Sequence, residues 1–372
     1  MTTKKRSLAV YLPSLASGGA EKLHIILAPA FMEAGYDVSF VLHYVEGAYV
    51  AAVPPGVRIV ELGSRRTLGC FMPLIKYLKK EKPDILLSNL GHNNILAIWA
   101  GAIARVPTKI IATHHSALSS ECRTTYNWQY RVLPFLCRLF LPWADGNVAV
   151  SSGAADDISI TTGLARDKVT VIYNPVELKD FEARSKEPVS HPWFQDGLAP
   201  VVLAVGRLTN QKNFQTLIKA FAKVVRERQA RLVFVGEGPL RQELQELAAS
   251  LGVTEYIDFA GFQTNPMAFM AKARLLAASS IYEGFGNVLV EALACGTPVV
   301  STNCPFGPAE ILEHGIYGKL VPVGDDDALA KAIVSTLDET PDRDMLHARG
   351  REFTVERTAN GYLQLFDDLL AK

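Results

Sequence analysis

SSIYEGFGNVLVEALACGTPVVSTNCPFGPAEIL, residues 279–312, decides how the rest of the chain is read. It opens on the end of an apolar strand, Leu275 to Ile281, and breaks into Glu283-Gly284-Phe285-Gly286-Asn287. It resumes with helical spacing over Val288 to Ala294. Gly296 suits the left-handed position after a helix, Pro298 forbids continuation, and Val299 and Val300 begin another buried strand. Such a strand, Gly-containing turn and helix N-terminus leave the backbone N–H groups of Gly286, Asn287 and Val288 aimed where an anion can sit. Glu283 and Glu291, separated by seven residues, flank that position. A carboxylate beside a phosphate is unfavourable unless it accepts hydrogen bonds, and sugar hydroxyls are the donors that suit it. The stretch points to an anionic nucleotide with sugars on either side of its phosphates.

The alternation of strand and helix extends on both sides of this stretch. Val201 to Val205 reads as a strand, and Gly206-Arg207-Leu208-Thr209-Asn210-Gln211-Lys212-Asn213 leads into a helix over Phe214 to Arg228. Arg207 and Lys212 bracket a loop where two cations can clamp a diphosphate, Arg as a fork of donors and Lys as a point charge. Solvated charges beside an ordinary turn have the same pattern. Arg231 to Val235 is the next strand, and Gly236-Glu237-Gly238-Pro239 opens a helix over Leu240 to Leu251, with Pro239 at a first helical position. A strand over Tyr256 to Phe259, followed by Gly261-Phe262, and a helix around Pro266 to Lys272 precede the opening stretch. Lys319 to Val323 is the last strand. Asp325-Asp326-Asp327 caps a helix through Leu337, and a final helix carries Tyr362, Leu365, Phe366, Leu369 and Leu370.

The first half has the same grammar. Leu8 to Leu12 is a buried strand; a turn through Gly18 and Gly19 opens a helix with Leu23, Ile26, Leu27, Ala30, Phe31 and Ala34 on one face. Pro29 is expected to kink it and Gly35 to end it. Strands follow at Val38 to Leu42, Ile85 to Leu87, Ile110 to Ala112, Val148 to Val150 and Val169 to Ile172, with a helix from about Asn94 to Arg105. Near-continuous apolar strands alternating with helices indicate parallel sheets covered on both faces. Thr113-His114-His115-Ser116 ends one of these strands, where ligands of open parallel sheets sit. A histidine there can donate to a substrate oxygen or simply bond a neighbouring loop. The expected organisation is a first domain over residues 1–176, rejoined by the C-terminal helix at about 354–372. A polar linker over 177–198 separates it from a second domain over 199–353.

At 372 residues the chain is long enough for two such cores. A formal net charge of zero argues against nucleic acid as a partner. It conceals an asymmetry: residues 1–180 hold 19 Lys and Arg against 14 Asp and Glu, and residues 181–372 hold 19 against 24. The basic first half has two stretches with lipid-surface character, 65–82 and 123–143. There Arg65, Arg66, Lys76, Lys79, Arg123, Arg131 and Arg138 alternate with aliphatic and aromatic side chains such as Leu68, Met72, Phe135 and Trp143. Helices packing an apolar face on a sheet would show the same composition. No apolar run reaches the roughly 18 residues of a membrane span. The five cysteines, Cys70, Cys122, Cys137, Cys295 and Cys304, have no metal-ligand spacing and read as reduced thiols of a cytoplasmic protein.

EGFGNVLVEALACGTPVV, GRLTNQKNF, GEGP and SGGAEK together resemble the retaining glycosyltransferases of family 4, glycosyl transferases group 1. The resemblance implies the GT-B fold: α/β, two Rossmann-like doubly wound parallel-sheet domains facing across a cleft, with the first binding acceptor and the second the nucleotide sugar. It makes Arg207 and Lys212 the diphosphate clamp, Glu283 the ligand of donor-sugar hydroxyls, Glu291 that of the ribose, and His115, rather than His114, the contact from the first domain. It places Gly18, Gly19, Gly206, Gly236, Glu237, Phe262, Phe285, Gly286, Asn287 and Val288 around the donor, with backbone near Phe262 reading the base. No metal or other cofactor is expected, since fixed cations take the metal's role. Asn303-Cys304-Pro305-Phe306-Gly307-Pro308-Ala309-Glu310 resembles members that extend lipid-linked oligosaccharides from UDP donors. The expected partners are thus a nucleotide-sugar donor and a glycan or lipid-linked acceptor, at the inner face of the cytoplasmic membrane. A nucleotide-sugar epimerase of similar architecture and a non-catalytic partner subunit are the rival readings.

Overall fold

The computed structural model describes residues 5–16, 19–116, 118–119, 128–176, 181–195 and 198–371; of residues 128–131 it describes the backbone alone. The chain divides into two compact units, Met1–Pro175 with Val355–Lys372, and Val176–Thr354.

The first unit is built on β1 (Ser7–Leu12), β2 (Asp37–Leu42), β3 (Arg58–Glu61), β4 (Ile85–Asn89), β5 (Lys109–His114), β6 (Gly146–Ala149) and β7 (Val169–Val171). They form one parallel sheet in the order β3-β2-β1-β4-β5-β6-β7. The connecting helices are α1 (Gly19–Glu33), α2 (Phe71–Glu81), α3 (Gly91–Ala104), α4 (Trp128–Phe140) and α5 (Ser152–Thr162). Both faces of the sheet are covered. Ala9, Tyr11 and Leu86 pack with Leu74 of α2 and Ile95 of α3, while Leu8, Val10 and Leu87 pack with Leu27 and Phe31 of α1. The C-terminal helix Val355–Leu370 joins that second layer, its Tyr362 and Phe366 rings lying 6.0 and 5.6 Å from Phe31. Pro29 sits inside α1 without interrupting it. Two elements of this unit escaped the sequence reading: β3, a four-residue edge strand, and α5, whose SGAADDISITT lacks a wide apolar face. Helix α5 begins because Ser151 accepts the N–H of Ala154 at 3.1 Å.

The second unit repeats the plan with β8 (Val201–Val205), β9 (Arg231–Val235), β10 (Ile257–Gly261), β11 (Leu275–Ala278), β12 (Val299–Thr302) and β13 (Lys319–Val321), in the order β10-β9-β8-β11-β12-β13. Its helices are α6 (Phe181–Ser185), α7 (Phe214–Glu227), α8 (Arg241–Ser250), α9 (Pro266–Lys272), α10 (Asn287–Ala294), α11 (Pro308–Ile311), α12 (Asp326–Asp338) and α13 (Arg343–Gly350). Within 177–198, α6 packs on α9, Phe194 meets Phe269 edge-on at 5.3 Å, and His191 bonds Asp258 at 2.9 Å.

Two boundaries differ from expectation, for reasons that bear on the site. Strand β11 stops at Ala278, because Ser279 Oγ and the Ile281 N–H turn away to the carbonyls of Lys212 and Gln211, both at 2.8 Å. Helix α8 starts at Arg241, two residues past Pro239. The intervening turn is tied instead to Leu208, which donates to Glu237 O at 3.0 Å and accepts from the Leu240 N–H at 3.2 Å.

Both sheets reverse strand order once, between β1 and β4 and between β8 and β11. Carboxyl strand ends at such a reversal diverge and leave a crevice, the usual ligand position in open α/β sheets.

Candidate active site

In the second unit the crevice lies between the ends of β8 and β11, and it is lined by backbone that only glycine can supply. Gly206 leaves β8 at φ +153°, and a Cβ there would meet Lys212 Cε at 3.0 Å. Gly236, at φ +139°, follows β9; its Cβ would lie 2.1 Å from the Gly206 carbonyl oxygen. The two loops therefore pass in direct backbone contact.

Lys212 Nζ lies 2.6 Å from Glu283 Oε1, and the two side chains are 18% and 12% exposed. Ser280 Oγ donates to the same carboxylate oxygen at 2.6 Å. Further bonds hold the backbone around this group: Ser279 Oγ to Lys212 O at 2.8 Å, Thr302 Oγ1 to Ser280 O at 2.7 Å, and Gln211 Nε2 to Tyr282 O at 3.0 Å. A largely desolvated ion pair with this many supporting bonds is a rigid pair of opposite charges at the crevice. Arg207 is exposed, and its guanidinium makes no hydrogen bond or ion pair among the described residues, so a full positive charge remains available to an anion. Cys304 is buried near this pair. Burial, and then the Glu283 charge, push its thiol up to about 12, so it stays protonated.

Gly286, at φ +105°, is the N-cap of α10, so Asn287 and Val288 are the first helical residues, half-buried, with Glu291 one turn further. Phe285 is buried and meets Phe353 edge-on at 5.5 Å. The structure thus brings Gly206, Lys212, Glu283 and Gly236 into one contact group, with Phe285 to Val288 following Glu283 directly. Glu237 is exposed and paired with Arg241 at 2.7 Å, and Phe262, just past β10, is 69% exposed. Ser279 and Ser280 escaped the sequence reading; two hydroxyls ending an apolar strand were the available signal.

His115 and Gly19 belong to the first unit; Gly18 lies outside the described residues, as does Cys122. His115 follows β5 and bonds through Nε2 to Asn89 Oδ1 at 2.7 Å, at the end of β4. His24 of α1 bonds the same oxygen through Nε2 at 2.6 Å. His114 points into the interior instead, and burial lowers its pKa to about 4. His24 is likewise lowered to about 4 and His115 to about 3, burial being the first cause in each. Neither Asn89 nor His24 had been singled out from sequence. Among the described residues, no group of three His, Cys, Asp or Glu side chains is arranged to hold a metal ion.

Family sequence models match both units: Glycosyltransferase Family 4 over residues 17–180 and Glycosyl transferases group 1 over residues 188–353. The chain belongs to glycosyltransferase family 4. This glycosyltransferase is 28% identical over 353 residues, 90% of its own length and 91% of the relative's, to the Campylobacter jejuni N-acetylgalactosamine-N,N'-diacetylbacillosaminyl-diphospho-undecaprenol 4-alpha-N-acetylgalactosaminyltransferase. It is 27% identical, over 97% and 98% of the two chains, to the GalNAc-alpha-(1->4)-GalNAc-alpha-(1->3)-diNAcBac-PP-undecaprenol alpha-1,4-N-acetyl-D-galactosaminyltransferase of the same organism. Among solved structures it is similar to Anabaena HepE in complex with UDP and glucose. That similarity has a TM-score of 0.77 and 23% identity, covering 98% of this chain and 100% of that one. The fold is GT-B.

The basic stretches of the glycosyltransferase divide by face. In 65–82, Leu74, Ile75, Tyr77 and Leu78 are buried in the first core, as the packing alternative for this stretch has it; Leu68 and Met72 remain exposed. In 123–143, Leu133, Cys137 and Leu141 are buried, whereas Phe135, Leu139 and Trp143 are exposed beside exposed Arg138. Arg123 and Tyr126 lie outside the described residues, and so do the side chains of Trp128, Tyr130 and Arg131. No described helix is long and apolar enough to cross a membrane.

Proposed function

We propose that this glycosyltransferase moves a hexose or N-acetylhexosamine from a nucleotide diphosphate sugar, UDP preferred, to a hydroxyl of a lipid-linked glycan, with retention of anomeric configuration and without a metal ion. The observation that carries this is the Lys212–Glu283 pair at the strand-order reversal of the second unit, with Arg207, whose guanidinium has no partner among the described residues, on the same loop as Lys212.

Negative charge accumulates on the departing diphosphate in the transition state. Arg207, Lys212 and the N-terminus of α10 at Asn287 and Val288 neutralise it as fixed, preorganised groups. Glu283 Oε1 is engaged by Lys212 and Ser280, so Oε2 takes the donor-sugar hydroxyls. Glu291 takes the ribose, and the turns at Gly236-Glu237 and Gly261-Phe262 the nucleoside. Gly18 and Gly19 approach the phosphates, and His115 a sugar hydroxyl. Retention follows a same-face attack in which the leaving phosphate takes the acceptor's proton; a double displacement would need a carboxylate nucleophile close to the anomeric carbon. The acceptor class is supported by the undecaprenol-linked substrates in the names of the two Campylobacter relatives, and UDP by its presence in the Anabaena structure. Exposed Phe135, Leu139 and Trp143 with Arg138, and Leu68 and Met72 with Lys76, suit peripheral contact with an anionic bilayer.

Incubation of the full chain with UDP-hexoses, UDP-N-acetylhexosamines and an undecaprenyl-diphosphate-linked oligosaccharide, in the presence of chelator, tests the assignment. The expected result is a product extended by one α-linked sugar. Epimerised donor formed without acceptor, or no stabilisation by any nucleotide, overturns it.

A further inference from the structure

At the strand-order reversal of the first unit, one side-chain amide holds two histidines. Asn89 Nδ2 donates to two main-chain carbonyls, Tyr11 O and Leu87 O, both at 3.3 Å. These carbonyls fix the orientation of the amide, because the flipped form would set Oδ1 against two carbonyl oxygens. Asn89 Oδ1 therefore faces both imidazoles, at 2.6 Å from His24 Nε2 and 2.7 Å from His115 Nε2. An oxygen cannot donate, so both imidazoles must carry their proton on Nε2. In the neutral ring the other nitrogen is then a bare acceptor. The two rings stand edge to face, their centroids 6.0 Å apart.

The acceptor nitrogens have different surroundings. His24 Nδ1 is sealed in the interior with no partner among the described residues. His115 is half-buried, and its Nδ1 makes no hydrogen bond among the described residues. The titratable groups acting on His115 are His24 of α1 and His114 at the end of β5, both imidazoles that resist protonation.

We propose that Asn89 is a positioning residue that locks His24 and His115 as Nε2–H tautomers, so that His115 presents Nδ1 as a hydrogen-bond acceptor for a sugar hydroxyl of the substrate. This rests on the reading that His115 contacts a sugar. The hydroxyl donates, His115 accepts, and no proton is transferred. The interaction selects a hydrogen-bond donor such as a hydroxyl: protonated His115 would present a donor there instead.

Long-range proton–nitrogen correlation spectra of the histidine-labelled full chain test the lock directly and need no substrate. The expected result is Nε2–H for both His24 and His115 across neutral pH; an Nδ1–H tautomer at His115 overturns the proposal. Two variants test its use. Asn89→Leu should lower kcat/KM by roughly 10- to 100-fold, the loss of one oriented hydrogen bond, with UDP affinity unchanged within about twofold, because Arg207, Lys212, Glu291 and the N-terminus of α10, which carry the proposed charge and ribose contacts to the nucleotide, lie in the other unit. Asn89→Asp keeps the acceptor facing the imidazoles, gives up the two Nδ2 bonds to Tyr11 O and Leu87 O, and adds a negative charge that favours imidazolium. Its activity should fall through an acid limb near neutral pH that the wild type lacks, and recover as pH rises. A uniform loss at every pH in Asn89→Asp would indicate a merely structural role and overturn the proposal. Should the wild type neither bind UDP nor transfer sugar, the functional reading fails while the tautomer measurement still decides the lock.

Discussion

Lys212 and Glu283, 71 residues apart in the chain, meet at 2.6 Å with both side chains less than one-fifth exposed. Removing either partner leaves the other charge largely desolvated and uncompensated. Glu283→Gln and Lys212→Ala should each reduce transfer by at least about 100-fold, the usual scale for a lost preorganised charge, while the far-ultraviolet spectrum stays unchanged. Each single variant should also lose about 1–3 kcal/mol on denaturant titration. Wild-type turnover in either would contradict the roles given to this pair.

Ser280 acts on the same oxygen. Its Oγ donates to Glu283 Oε1 at 2.6 Å, and its own carbonyl is held by Thr302 Oγ1 at 2.7 Å. Ser280→Ala removes one of two bonds orienting the carboxylate and should cost about 1 kcal/mol of transition-state stabilisation, roughly fivefold in kcat/KM. Steady-state kinetics with the preferred donor check this; an unchanged kcat/KM would show that Lys212 alone orients Glu283.

Gly236 and Gly252 separate backbone strain from collision. Gly252, at φ +70°, has nothing within 4 Å of an added Cβ, so Gly252→Ala should lose only the left-handed penalty of about 1 kcal/mol. At Gly236 the same methyl group would sit 2.1 Å from the Gly206 oxygen. Gly236→Ala should therefore lose more than about 2 kcal/mol and weaken UDP binding together with stability, because the loops at Gly206 and Gly236 must move apart. Equal denaturation midpoints for the two variants would refute this distinction.

Both sheets were legible because their strands are near-continuous apolar runs punctuated by glycine and proline, as at Leu8 to Leu12 and Val201 to Val205. Strand β3 was not: four residues with a half-exposed pattern carry little periodic signal. In the second unit, Glu283 and the turn at Gly286 stand out beyond a strand end, whereas Lys212 is singled out by the family resemblance of GRLTNQKNF rather than by its residue type. That Ser279 and Ser280 serve these groups depends on where β11 leaves the sheet, a tertiary matter set by the 210–212 loop. Asn89 had no local signature at all, since its role arises where β1, β4, β5 and α1 converge. The two readings of 65–82 stayed open because composition does not say which side of a helix is covered; Leu74 and Leu78 lie in the core.

Exposed Phe135, Leu139 and Trp143 beside Arg138 should dock on anionic bilayers through their apolar side chains. The double variant Phe135→Ser, Trp143→Ser should reduce sedimentation with phosphatidylglycerol vesicles at least tenfold while UDP affinity is unchanged. These residues are exposed already, so stability should change by less than about 0.5 kcal/mol. Equal vesicle binding by wild type and variant would remove this face from consideration.

His24, His43 and His114 are each buried to within a few per cent, and burial lowers each pKa to about 4. The unfolded chain titrates near the ordinary 6.5, so between about pH 6.5 and 4 it binds more protons than the native state, and falling pH favours unfolding. Stability from these groups is fully present above pH 6.5. It declines by about 1.4 kcal/mol per group for each pH unit below that value, and levels off near pH 4. The three losses have the same sign, so acid destabilises the first unit through all of them together. The first unit should lose stability steeply below about pH 6.5, while paired carboxylates elsewhere are still ionised. Thermal denaturation followed at steps from pH 7.5 to 4.5 checks this, with a steep fall in midpoint expected below 6.5 and a substantially smaller fall in His24→Gln. A midpoint flat to pH 5 would mean that these imidazoles are hydrated in solution and not sealed in the interior.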